Sequence, residues 1–120
     1  MIKWKEGWNR QQIHLLPARV EDYVDENNPV RFLEAFVESQ DLRAKGFQFP
    51  KENREGKGRP PYHPGSLLKL YLYGYLHRVR SSRRLEEECG RNLEVMWLLR
   101  GLAPDFKTIA DFRKDNAAAF

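Results

Sequence analysis

The chain has 120 residues, with 21 Lys and Arg against 17 Asp and Glu, a formal charge of +4 and a pI near 9.3. That length suits one domain spanning residues 1–120, and 41% apolar residues exclude a chain too polar to fold. One cysteine, Cys89, excludes an internal disulfide and fits a reducing cytoplasm; from the polar N-terminus we expect no secretory leader, and no apolar run reaches the roughly twenty residues of a membrane span.

Taken in order, Met1–Gln12 places Trp4 and Trp8 among charges with Gly7 between them. We expect a loosely ordered arm over residues 1–12, its tryptophans packed on the domain. Leu15-Leu16-Pro17 then opens a short helix over Ala18–Val24. Asn28 followed by Pro29 is a second helix start, with the asparagine as cap and the proline where its missing N–H is harmless. Val30, Leu33 and Val37, joined by Phe32 and Phe36, give this helix a broad apolar stripe to about Ser39. The stretch 51–58, KENREGKG, has charges and glycines without apolar anchors and reads as an exposed, protease-sensitive loop.

The centre of the chain is Pro64–Arg78. Eight of the twelve residues Ser66–His77 are Leu or Tyr, so the helix is expected to be buried by neighbours on several sides. Pro64 suits its first turn, and His63 before it is pushed out of the helical region. Lys69, Tyr73 and His77 share one partly polar stripe, with Leu68, Leu72, Tyr75 and Leu76 opposite. Ser81 and Ser82 are cap candidates for a helix through Leu85 and Cys89, stopped at Gly90. Helix, tight turn and helix over residues 64–91 make a helix-turn-helix-like unit. Its arginines precede Glu86, Glu87 and Glu88, leaving the helix start positive and suited to phosphate. Arg80, Arg83 and Arg84, with Ser81 and Ser82, are therefore the expected main DNA contact. Arg59, Arg78 and Arg91 extend it, and Arg113 with Lys114 forms a second patch. The competing reading pairs the arginines with the acidic triplet along a solvated face. Charge favours the first weakly: residues 1–50 sum to −1, residues 51–77 to +3 and residues 78–120 to +2.

Beyond the centre, Asn92 caps a helix over Leu93–Leu99 that Gly101 ends. Thr108 with Asp111 has a capping-box arrangement, so the last helix is placed from Thr108 through Phe120, after a turn at Pro104–Phe106. The chain stops there in alanine-rich helical sequence without a cap, which leads us to expect a truncated chain. No stretch alternates with period two. The fold class is all-α, with five or six short helices around the central one. Phosphate-loop glycines and zinc-spaced Cys/His pairs are missing; His77 reads as structural and Cys89 as a small buried residue. No catalytic site and no cofactor are expected in this chain.

Several ordered motifs together resemble one family. Gly58-Arg59-Pro60-Pro61-Tyr62-His63-Pro64, the Leu67–Tyr75 run, Arg80-Ser81-Ser82-Arg83-Arg84-Leu85-Glu86, Asn92-Leu93-Glu94 with Trp97-Leu98, and Pro104-Asp105-Phe106-Lys107-Thr108-Ile109-Ala110-Asp111-Phe112-Arg113 are similar to the N-terminal domain of bacterial insertion-sequence DDE transposases. Asp22-Tyr23-Val24 through Arg31 is similar to that family's opening. The resemblance implies a helical domain ahead of an RNase H-like catalytic domain that this chain lacks, and it is there that a divalent metal such as Mg would be held. Asp105 and Asp111 match the N-terminal motif and are given no metal role. It implies DNA transposition for the parent protein, double-stranded DNA of the element's terminal repeats as partner, and neither a membrane nor a small-molecule substrate. The alternative is an interaction module that dimerises subunits or packs on the catalytic domain, with Trp4, Trp8, Trp97 and Phe120 as anchors.

Overall fold

The computed structural model describes residues 4–10, 20–49 and 61–118. Their elements in order are a 3-10 turn at Val20–Tyr23, then α1 (Pro29–Glu38), α2 (Pro64–His77), α3 (Ser82–Arg91), α4 (Leu93–Leu99) and α5 (Phe106–Asp115). Among the described residues there is no strand, and the fold is all-α as expected. The 3-10 turn stands within the stretch read as a helix over 18–24, and the loop 51–58 lies outside the described residues, as does Arg59.

Local capping explains most helix starts. The Asn28 side chain accepts from Val30 N at 2.8 Å, and Pro29 fills the first turn of α1. His63 caps α2, its Nδ1 accepting from Gly65 N at 2.9 Å. Ser81 caps α3, accepting from Arg84 N. Asn92 serves two helices at once: its amide N–H closes α3 on the Glu88 carbonyl, and its side chain accepts from Glu94 N and Val95 N of α4. That is why α3 does not stop at Gly90 but runs to Arg91. The last helix starts earlier than read, at Phe106. Asp105 is its cap, accepting from Thr108 N at 2.8 Å, and Glu86 of α3 takes the Phe106 amide at 3.3 Å. It ends at Asp115, with Asn116 buried beneath and donating to the Phe112 carbonyl at 2.8 Å.

Leu70, Leu85, Val95, Leu98 and Ile109 form the driest part of the core, drawn from α2, α3, α4 and α5. Each such leucine is worth roughly 1.5–3 kcal/mol of burial. The last turns of α2 are disposed differently from expectation. Its Lys69–Tyr73 side faces α1 and α4, with both residues buried, whereas Leu72 is half-buried and Tyr75 and Leu76 are exposed. Polar satisfaction explains the inward face. Lys69 Nζ reaches Glu38 at 3.0 Å and Glu34 at 3.5 Å. The Tyr73 hydroxyl donates to Glu94 Oε1 at 2.6 Å and accepts from Asn92 Nδ2 at 3.0 Å. Glu94 also accepts from Asn28 Nδ2 at 2.7 Å, and Asn92 donates onward to Glu88 at 2.8 Å. This chain of bonds ties the cap of α1 to α2, α3 and α4. The Tyr73 hydroxyl holds the Glu94 carboxyl below its ordinary pKa. Burial and Glu94 together push Tyr73 upward.

Over residues 4–10 the arm has no helix, and its two tryptophans pack on the domain. Trp8 N donates to the Arg100 carbonyl and Arg100 Nε returns a bond to the Trp8 carbonyl at 2.6 Å. Trp4 packs edge-on against His63, with centroids 4.7 Å apart. Arg10 lies over the Trp97 ring at 4.0 Å and pairs with Glu34 at 3.1 Å. Gly101 makes the clasp possible: its φ is +78°, and a Cβ there would run into the Trp8 indole. Between arm, α1 and the start of α2 lies a cleft of about 1320 Å³.

Candidate functional site

The turn between α2 and α3 is four residues, Arg78–Ser81, and its geometry is fixed from beneath. Arg78 closes α2 in the left-handed region, with φ 60° and ψ 33°. Val79 then folds inward, its amide donating to the Gly74 carbonyl at 2.7 Å. A Cβ on Gly74 would stand 2.6 Å from the Val79 carbonyl oxygen and 2.9 Å from Leu85, so only glycine lets turn and helix approach this closely. Val79 buried between exposed Arg78 and Arg80 turns both guanidiniums toward solvent.

A second segment meets this turn. α5 packs on α3, and the Tyr71 hydroxyl of α2 donates to the Ile109 carbonyl at 2.6 Å. Burial pushes the Tyr71 pKa up, and Ser82 stands within hydrogen-bonding reach of its oxygen. Tyr71 also stacks on Phe112, with centroids 6.0 Å apart. These contacts bring Arg113 to the turn. Arg78, Arg80 and Arg113 line a groove of about 810 Å³ together with Tyr71, Val79, Tyr75 and Leu76. Tyr75 is 80% exposed and Leu76 63%.

The remaining candidates take other places. Ser81 and Ser82 stand at the α3 start. Arg83 lies over the Phe106 ring at 3.9 Å, which draws it along the α3–α5 seam. Arg84 and Lys114 are exposed, whereas Arg91 pairs with Glu88 at 2.9 Å on its own helix. Of the pairs in the competing reading, the structure forms Arg91 with Glu88. Glu88 takes Asn92 and Arg91, which hold its carboxyl below the ordinary range, and Glu86 caps α5. Among the described residues, no carboxylate lies within ion-pair distance of Arg78, Arg80, Arg83, Arg84, Arg113 or Lys114.

Two consequences were not visible in the sequence. Arg113 joins Arg78 and Arg80 instead of forming a separate patch, because the α3–α5 packing that unites them is long-range. Tyr75 and Leu76 belong to the same surface. Their signal was only position: the last turn of an apolar helix, directly before an arginine run.

Cys89 is buried beneath α3, and burial pushes its thiol up to about 12, so it is no nucleophile. Among the described residues no group of three His, Cys, Asp or Glu could hold a metal, and no helix is long and apolar enough to cross a membrane. Asp105 is the cap of α5. A family model described as a transposase domain (DUF772) matches residues 18–115. No curated protein and no solved structure matches the chain.

Proposed function

The chain belongs to the transposase-domain family, and from that premise we propose that it is the DNA-holding N-terminal domain of an insertion-sequence transposase, acting in DNA transposition on the element's terminal repeats. The observation that carries this reading is the convergence of Arg78, Arg80 and Arg113 on one open groove with no carboxylate among the described residues at ion-pair distance from them. Cations without internal partners keep their full attraction for a polyanion and release its counterions on contact. The α3 N-terminus beside them adds the partial positive charge of its free amides. In this reading Arg84 and Lys114 flank the groove, and Arg83, held over Phe106, sets the seam along which the backbone passes. Phosphate contacts of this kind set register on the duplex, while sequence is read by groove contacts. The chain acts in the cytoplasm, and the metal-dependent strand chemistry, with Mg as its ion, is carried by a DDE catalytic domain outside residues 1–120.

The test is a salt titration of duplex binding by the wild-type chain and by an Arg78→Ala/Arg80→Ala/Arg113→Ala variant. At about 0.9 per phosphate contact, the slope of log affinity against log salt should flatten by up to about 2.7. A folded variant that keeps wild-type affinity and slope defeats the reading.

A second reading rests on α1. Phe32 and Phe36, one turn apart on the same helix face, are 82% and 54% exposed. This supports a self-association or domain-packing surface in addition to the DNA groove, since aromatics concentrate at interfaces. Sedimentation of wild type against Phe32→Glu decides it: a wild-type dimer that the variant converts to monomer supports the surface, and a monomer in both removes self-association.

A further inference from the structure

A backbone-binding site needs cations alone, yet this groove also displays an aromatic ring and an aliphatic side chain. Tyr75 and Leu76 are adjacent, both largely in water, at the end of a helix whose other long apolar residues are mostly covered. Their backbone is held by the Gly74–Val79 bond and by the close approach of Leu85, so the ring is presented from a fixed point. Tyr71 is not equivalent: its hydroxyl is committed to Ile109 and its ring to Phe112, so it lines the groove without a free face. An exposed aromatic ring in a groove shared with three arginines is the composition that receives an unstacked base, the cations taking the flanking phosphates and the ring the base. In an intact duplex the base faces are covered by their neighbours, and Tyr75 finds none to stack on. A leucine beside the ring has the further property of filling the gap a displaced base leaves in the stack.

We propose that the groove of Tyr75, Leu76, Arg78, Arg80 and Arg113 takes an unpaired, unstacked nucleotide of DNA, so that the chain prefers a locally opened duplex to an intact one. This rests on the DNA-binding reading above and specifies the state of the DNA it holds.

Fluorescence anisotropy with the full chain tests it on a short intact duplex and on the same duplex carrying one unpaired thymine. The opened duplex should bind about five-fold more tightly or better, the range of one base–aromatic stack. Tyr75→Ala should remove that difference, costing the opened duplex at least about five-fold more affinity than the intact one, and Tyr75→Phe should retain it, since stacking needs the ring and not the hydroxyl. Because Tyr75 lies at the surface, circular dichroism is expected to show both variants folded. Equal wild-type affinity for the two DNAs overturns the inference and leaves the groove as a backbone site. A Tyr75→Ala loss shared equally by both DNAs also overturns it. Binding to neither DNA removes the underlying reading as well.

Discussion

In the cleft beneath the arm, Arg10 reaches Glu34 at 3.1 Å and Lys69 reaches Glu38 at 3.0 Å, while Arg43 lies over the Phe49 ring at 3.9 Å. In the groove between the α2–α3 turn and α5, Arg78, Arg80 and Arg113 meet no carboxylate at ion-pair distance among the described residues. The cleft is the larger recess, yet its cations are already satisfied by the protein. Recess size therefore says little here about where a ligand goes. Whether a cation in a recess has an internal partner says more, because a partnered cation is part of the fold and an unpartnered one is available to something else.

The largest expected effect separates the two regions most sharply. Neutralising Arg78, Arg80 and Arg113 together should lower duplex affinity by roughly a hundredfold or more at 0.1 M salt. Unfolding free energy should change by no more than about 0.5 kcal/mol, as for surface sites without special contacts. A denaturant melt beside the binding curve checks both halves, and a large loss of stability would show that the groove arginines are structural after all.

Lys69→Met should do the opposite. It strips the cation from Glu34 and Glu38 and should cost about 1–3 kcal/mol, kept low because Glu38 is largely solvated. Duplex affinity should be unchanged. Weakened DNA binding by a folded Lys69→Met chain would erase the distinction drawn between the two recesses.

Gly101→Ala probes the clasp that closes the cleft. With φ at +78° and Trp8 in the way, alanine should cost about 1–2 kcal/mol and release the arm, read as a rise in tryptophan accessibility to quencher. The DNA salt slope should stay at its wild-type value.

The smallest effect is a pH dependence at the cleft. Burial first, then the nearby charges of Lys69 and Arg43, lower the His63 pKa below its ordinary 6.5. The unfolded chain therefore takes up this proton at a higher pH than the folded one. His63's contribution to stability is present above 6.5 and is lost as pH falls through the lower folded value. Its Nδ1 must also stay unprotonated to cap α2. Melts between neutral and mildly acidic pH should show this loss, and His63→Asn, which keeps a capping oxygen, should flatten it.

How much of this was legible beforehand depends on range. Caps at Asn28 and Asn92 and the proline starts at Pro29 and Pro64 were readable because a cap is settled within a few residues. The start of α5 was misread where two caps overlap: Asp105 and Thr108 each offer an oxygen three residues ahead of a plausible turn, and Glu86, from a different helix, decides between them. In α2 apolar residues occupy nearly every direction, so periodicity could not say that Tyr75 and Leu76 point outward. The inward turn of Lys69 and Tyr73 depended on carboxylates in α1 and α4. The arginine run was visible as charge, whereas the joining of its Arg78 and Arg80 with Arg113 of α5 followed from packing that no local pattern encodes.

Two arginines in this chain, Arg78 and Arg100, close helices in the left-handed conformation that glycine adopts without strain. Arg100 is tied to the arm through Trp8; Arg78 points into the groove. Arg78→Gly should raise the stability of the chain by about 1 kcal/mol while loosening its hold on DNA. Selection for heat resistance alone would thus draw position 78 toward glycine, and selection for occupancy of DNA would draw it back.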